Sequence, residues 1–106
     1  METVPIEAVV FLYRWDLKPG LEEQFTSAWK RLTELLRERG SLGSRLHRGN
    51  DGIWYGYAQW PTADAREQAF AGALDAVASR SMQEAVAHSH PVVLLSPISD
   101  DLLPLR

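Results

Sequence analysis

Cysteine is absent from the 106-residue chain, which excludes disulfides, thiolate metal sites and a nucleophilic thiol. An excess of positive charge is also missing. Eleven Lys and Arg are scattered against fourteen Asp and Glu, for a net charge of −3, so no basic stripe offers itself to nucleic acid. No apolar run approaches the roughly 20 residues that a membrane span needs. The opening Met1-Glu2-Thr3-Val4-Pro5 has no basic stretch, and Glu7 and Arg14 break the apolar run behind it, so it reads as neither signal peptide nor anchor. The expectation is a soluble, cytoplasmic protein forming one domain over residues 1–106. A chain of this size buries roughly 65% of its unfolded surface, enough for one core.

What is present is periodic. Ile6 to Trp15, rich in β-branched and aromatic residues, reads as a strand that Pro19-Gly20 ends. Leu21, Phe25, Ala28, Trp29, Leu32, Leu35 and Leu36 then recur at three- and four-residue steps, which predicts a helix to about Arg39 with Gly40 just past its end. Ser44 to Arg48 is a short strand, Asn50-Asp51-Gly52 a turn, and Ile53 to Trp60 a third strand. Pro61 stops it, and Thr62 or Asp64 caps a second helix to about Leu74. Asp75 to Ala87 is helix-prone with a break expected near Ser79-Arg80-Ser81. His88-Ser89-His90-Pro91 ends that helix, and Val92 to Ile98 reads as the last strand.

The order β-α-β-β-α-β is the split βαβ pattern of a ferredoxin-like α+β fold, with an antiparallel four-stranded sheet and helices on one face. Both sheet faces are apolar: Val10 and Leu12 lie opposite Val9, Phe11, Tyr13 and Trp15, and Trp54 and Trp60 lie opposite Tyr55 and Tyr57. Two helices cover one face only, so a second copy of the chain is expected to bury the other. A charge at Phe11 is expected to break that homodimer, because its row faces away from Val10 and Leu12.

The aromatics of strands one and three suit either a cleft for a flat aromatic ligand or an ordinary core. Gly56 and Ala58, small residues between Trp54 and Trp60, leave room for a pocket. Arg14 either points beneath the helices, where it must meet a carboxylate or an anionic ligand, or reaches solvent at the strand end. His88 and His90 would share a face on a strand but lack a third metal ligand, since His47 sits on a distant strand. They read as polar residues closing a helix, and no metal site is expected. No serine-triad or phosphate-loop pattern is present.

Leu17-Lys18-Pro19-Gly20 followed by Phe25 and Trp29, the turn Leu42-Gly43-Ser44-Arg45-Leu46, and Tyr57-Ala58-Gln59-Trp60 running into Thr62 together resemble antibiotic biosynthesis monooxygenase domains. The resemblance implies a ferredoxin-like domain dimerised into an α+β barrel. It also implies oxidation of an electron-rich aromatic of polyketide, naphthol or quinol type by molecular oxygen. The substrate anion supplies the electrons, and no flavin, haem or metal is needed. The catalytic candidates are Trp60, Tyr57, Arg14 and His88, with Trp54, Tyr55, Gly56 and Trp29 as candidate substrate-binding residues. Gly56 stands where oxidising members carry Asn, Arg66 replaces a Tyr, and Gln83 falls near an Arg. The alternative is a non-catalytic dimer that holds a small aromatic metabolite.

Overall fold

A computed structural model describes residues 8–103. Strands β1 (Val9–Leu17), β2 (Gly43–Arg48), β3 (Trp54–Trp60), β4 (Val86–Ser89) and β5 (Val93–Leu95) form one antiparallel sheet in the order β2-β3-β1-β4, with β5 also on β1. Helices α1 (Glu22–Arg37), α2 (Ala63–Ala71) and α3 (Ala76–Ala85) complete the chain. The sheet order and the antiparallel pairing are those of the ferredoxin-like α+β class.

Helix α1 buries Phe25, Ala28 and Leu32, three members of the apolar stripe, as the 3.6-residue period requires. Its first turn carries Glu22 and Glu23 and its last turn Arg37, each matched to the helix dipole. Phe25 is wholly buried against Trp15 and Ala85, while Ala28 and Leu32 pack on Ala78 of α3. Thr62 caps α2 by accepting the Ala65 N–H, one of the two caps expected.

The expected break at Ser79-Arg80-Ser81 is instead a continuous stretch of α3. Interruption falls earlier, at Gly72, because Asp75 caps a new helix by accepting the Ala78 N–H at 3.0 Å. Arg39 closes the gap, donating to the carbonyl of Ala69 in the last turn of α2, which the helix leaves open, and to that of Ala73 just beyond it. The Asp75 carboxyl is held below its ordinary pKa by that cap N–H and by Arg31.

The end of the chain differs more. His88 and Ser89 belong to a strand rather than to a helix terminus. β4 pairs with Trp15–Leu17, β5 pairs with Val10–Leu12, and Pro91, which has no N–H to give, lies between them. One long final strand is therefore replaced by an edge strand in two pieces.

The two faces of the sheet are also exchanged relative to expectation. Phe11, Tyr13 and Trp15 pair with Ala58, Gly56 and Trp54, and this row meets the helices: Trp15 and Trp54 pack on Phe25, and Arg66 of α2 lies over Phe11. Val10, Leu12 and Arg14 share the other, open face with Gln59, Tyr57 and Tyr55. Phe11 is thus a helix-side residue, and a charge there would act on the interior rather than on a partner. The strand alternation alone did not say which apolar row the helices cover.

Candidate active site

A cavity of about 430 Å3 lies between the helix-covered sheet face and all three helices. Its aromatic walls come from Tyr13 and Trp15 of β1, Trp29 of α1, Trp60 of β3 and Phe70 of α2. Tyr13 and Trp15 are parallel at 5.7 Å, and Trp29 meets both edge-on at 6.1 and 5.5 Å. Such offset and edge contacts fix ring positions beyond what burial does.

Gly56 makes this arrangement possible. A Cβ built there would sit 2.6 Å from Cη2 of Trp29 and 2.7 Å from Cη2 of Trp15, inside contact distance of two rigid indoles. The asparagine that oxidising relatives are expected to carry here has no room. The two indoles fill its place.

Arg66 is the one charged residue on the cavity wall among the described residues. Its guanidinium lies between two rings, 4.4 Å from the centroid of Phe11 and 4.4 Å from that of Phe70. Its Nε and Nη2 both donate to the Tyr13 Oη, at 3.0 and 2.7 Å. A phenol oxygen has two acceptor lone pairs and one proton. Both lone pairs are occupied by Arg66, so the Tyr13 O–H is left to donate, and Tyr13 lines the cavity. The remaining polar wall is neutral and includes a hydroxyl pair, Thr33 with Ser44, at 2.6 Å. The site is therefore an apolar, aromatic space with donors converging on one side, and it suits a flat ring that carries an oxyanion.

Of the candidates drawn from the sequence, Trp60 and Trp29 line the cavity, and Gly56 shapes it from behind. Trp29, expected in the core stripe, faces the cavity, whereas Trp60 is 1% exposed and also serves the core. Trp54 packs on Phe25 instead of lining the space. Tyr57, Tyr55 and Arg14 sit on the open face, placed there by strand alternation. Tyr55 donates to Asp51 at 2.5 Å, which raises the Tyr55 pKa and lowers that of Asp51. Arg14 gives Nη2 to the Pro91 carbonyl at 3.0 Å, while its buried Nε has no partner among the described residues. His88 pairs across from Asp16 on the open face, so neither Arg14 nor His88, both expected to be catalytic, reaches the cavity. Tyr13, one of the aromatics expected at a cleft, does line it, and what sequence reading missed is Arg66 and its pairing with Tyr13. The available signal was the spacing of Arg66 and Phe70, four residues apart and so on one side of α2.

Residues 8–87 match the family model for antibiotic biosynthesis monooxygenase. The chain belongs to this family. Among curated proteins none matches it. Of solved structures, a variant of SnoaB, a cofactor-independent oxygenase from Streptomyces nogalater, superposes with a TM-score of 0.75 at 19% identity, over 90% of this chain and 97% of that one. Rv0793 from Mycobacterium tuberculosis gives a TM-score of 0.69 at 14% identity, over 90% and 99% of the two chains. A conserved protein from Methanosarcina mazei gives 0.68 at 12%, over 87% and 94%. At these identities the likeness is one of fold.

Proposed function

We propose that this family member is a cofactor-independent monooxygenase acting on an electron-rich phenolic or naphtholic aromatic, its oxyanion held by Arg66 and the Tyr13 O–H. The single observation that carries this reading is the Tyr13–Arg66 pair set into an otherwise apolar aromatic cavity. Donors fixed in advance in a water-poor space stabilise an anion far better than they would in water. Loss of one proton, from the O–H of a naphthol or the CH2 of anthrone, gives an anion whose charge is shared between the oxygen and a ring CH conjugated with it. That carbon passes electrons to dioxygen and forms a C–O bond. The peroxide, once protonated, loses water together with the hydrogen left on that carbon, so that substrate plus O2 becomes a quinone-type C=O plus H2O. Trp60, Trp29 and Trp15 hold the ring flat.

Among the described residues no carboxylate or imidazole lines the cavity. Ionisation therefore depends on the substrate's own acidity, assisted by Arg66. Cofactor-free protein incubated under air with anthrone and with a more acidic naphthol should form quinone. The rate should rise with pH through each substrate's own pKa, because only the anion reacts. A common rise near ~6.5 for both substrates, where an unperturbed imidazole titrates, would instead assign the proton transfer to a histidine. Turnover only with added NADH and flavin would defeat the mechanism. Tight binding without turnover would assign the cavity to a non-catalytic carrier of aromatics.

The same reading includes a homodimer whose second copy covers the open face. Its support is half-buried Leu12, Tyr55 and Tyr57, continued by exposed Val93 and Leu95, while Val10 in the same row is already buried within the chain. Leu12→Glu should convert the assembly to monomers in sedimentation at micromolar concentration. A monomeric wild type would refute the assignment.

A further inference from the structure

On the open face, at the end of β1 farthest from the Val10–Leu12 row, three metal-binding side chains meet. Asp16 and His88 are cross-strand partners, and His90 follows two residues on, so β1 and the β4 edge place all three on one side. One oxygen of Asp16 and one ring nitrogen from each histidine lie within 4.8 Å of one another. His90 Nε2 is already 3.1 Å from Asp16 Oδ2. The two imidazoles meet edge to face with centroids 4.7 Å apart. Sequence spacing supplied the two histidines. The third ligand comes only from the pairing of β1 with β4.

We propose that Asp16, His88 and His90 form a three-ligand zinc site on the open face of the sheet, separate from the aromatic cavity. Zinc at 2.0–2.2 Å from N and O ligands keeps them about 3.3–3.5 Å apart in a tetrahedron. The Asp16–His90 pair is near that distance. His88 is exposed and makes no hydrogen bond among the described residues, so its ring can turn to close the remainder. Two neutral imidazoles and a carboxylate are a donor set suited to a borderline ion such as zinc. Arg14, two residues along the same row, turns its Nη2 to the Pro91 carbonyl. Ser89, between the histidines, lines the cavity on the other side, so the ion would not touch a substrate there. Its effect is structural: it ties the edge strand to β1 where the register slips between Asp16 and Leu17. The fourth position is left to water.

The test uses the full chain without a histidine tag, treated with EDTA and dialysed, then titrated with zinc chloride by calorimetry. One ion per chain is expected, together with a rise in Tm. His88→Ala should weaken zinc binding by about 100-fold, since loss of even an outer-shell partner typically costs 10–100-fold. Asp16→Asn should also weaken it, and His47→Ala should leave it unchanged. Beyond its edge contact with the His90 ring, the exposed His88 side chain makes no hydrogen bond among the described residues, so its removal leaves the His90–Asp16 pair in place and separates that pair from a metal site. On the wild type itself, zinc should protect His88 and His90, but not His47, from diethylpyrocarbonate. Absence of saturable binding, binding that survives His88→Ala undiminished, or equal modification of all three histidines would each overturn the proposal.

Discussion

Replacing Arg66 by methionine is expected to weaken binding of an aromatic ionised at neutral pH, such as 2-hydroxy-1,4-naphthoquinone, by about 10- to 100-fold. Hydrogen bonds to a charged group contribute about 1.5–3 kcal/mol each, and a factor of ten corresponds to about 1.4 kcal/mol. Methionine keeps apolar bulk between Phe11 and Phe70 while removing both the charge and the donors that fix the Tyr13 oxygen. The neutral parent 1,4-naphthoquinone should bind the variant about as well as the wild type. Tryptophan quenching reads both, because Trp15, Trp29 and Trp60 line the cavity. Equal losses for the charged and neutral ligands would mean that Arg66 shapes the wall without recognising an anion.

Phe25→Ala is expected to cost about 3–5 kcal/mol of folding stability, a large share of the 5–15 kcal/mol typical of a domain. Phe25 has no solvent exposure and meets Trp15 edge-on at 4.7 Å and Trp54 at 6.3 Å. Truncation leaves a void that two strand-borne indoles cannot both follow. Phe70→Ala provides the contrast, since that ring is 37% exposed on α2 and should lose clearly less. Denaturant midpoints for the two variants check the difference. Similar losses would contradict the placement of the core under α1.

The elements whose signals are local were readable in the sequence. The α1 stripe, the Thr62 cap and the Asn50-Asp51-Gly52 turn are each decided by neighbours within a few residues. Gly52 carries the positive φ, +85°, that such a turn requires. The misplaced features depend on distant residues. Arg39, far along the chain, satisfies the end of α2, so the helices divide at Gly72 and not at Ser79-Arg80-Ser81. His88 reads as a helix end from its neighbours alone because its partner in the ladder, Asp16, is remote in sequence. The site divided for a similar reason. Strand alternation correctly separated Trp60 from Tyr57, but both faces were apolar, and hydropathy alone did not say which one the helices cover. Nothing in the sequence marks Arg66 as a partner for Tyr13, because a β1–α2 contact has no signature within either segment.

The crowding at position 56 bears on how this sequence can change. Trp15, Trp29 and Gly56 occupy one shared volume, so substitutions at the three sites are not independent. A side chain at 56 is admitted only after both indoles have given way, and the reverse order passes through a clashing intermediate. Any lineage that exchanges an asparagine for the paired tryptophans, or regains it, must cross this barrier in a fixed order of steps. The aromatic wall and the polar wall are therefore alternative states of one position in the fold, and a chain committed to the first must find its oxyanion donors elsewhere. In the function proposed above, that role falls to Arg66 of α2 and Tyr13 of β1.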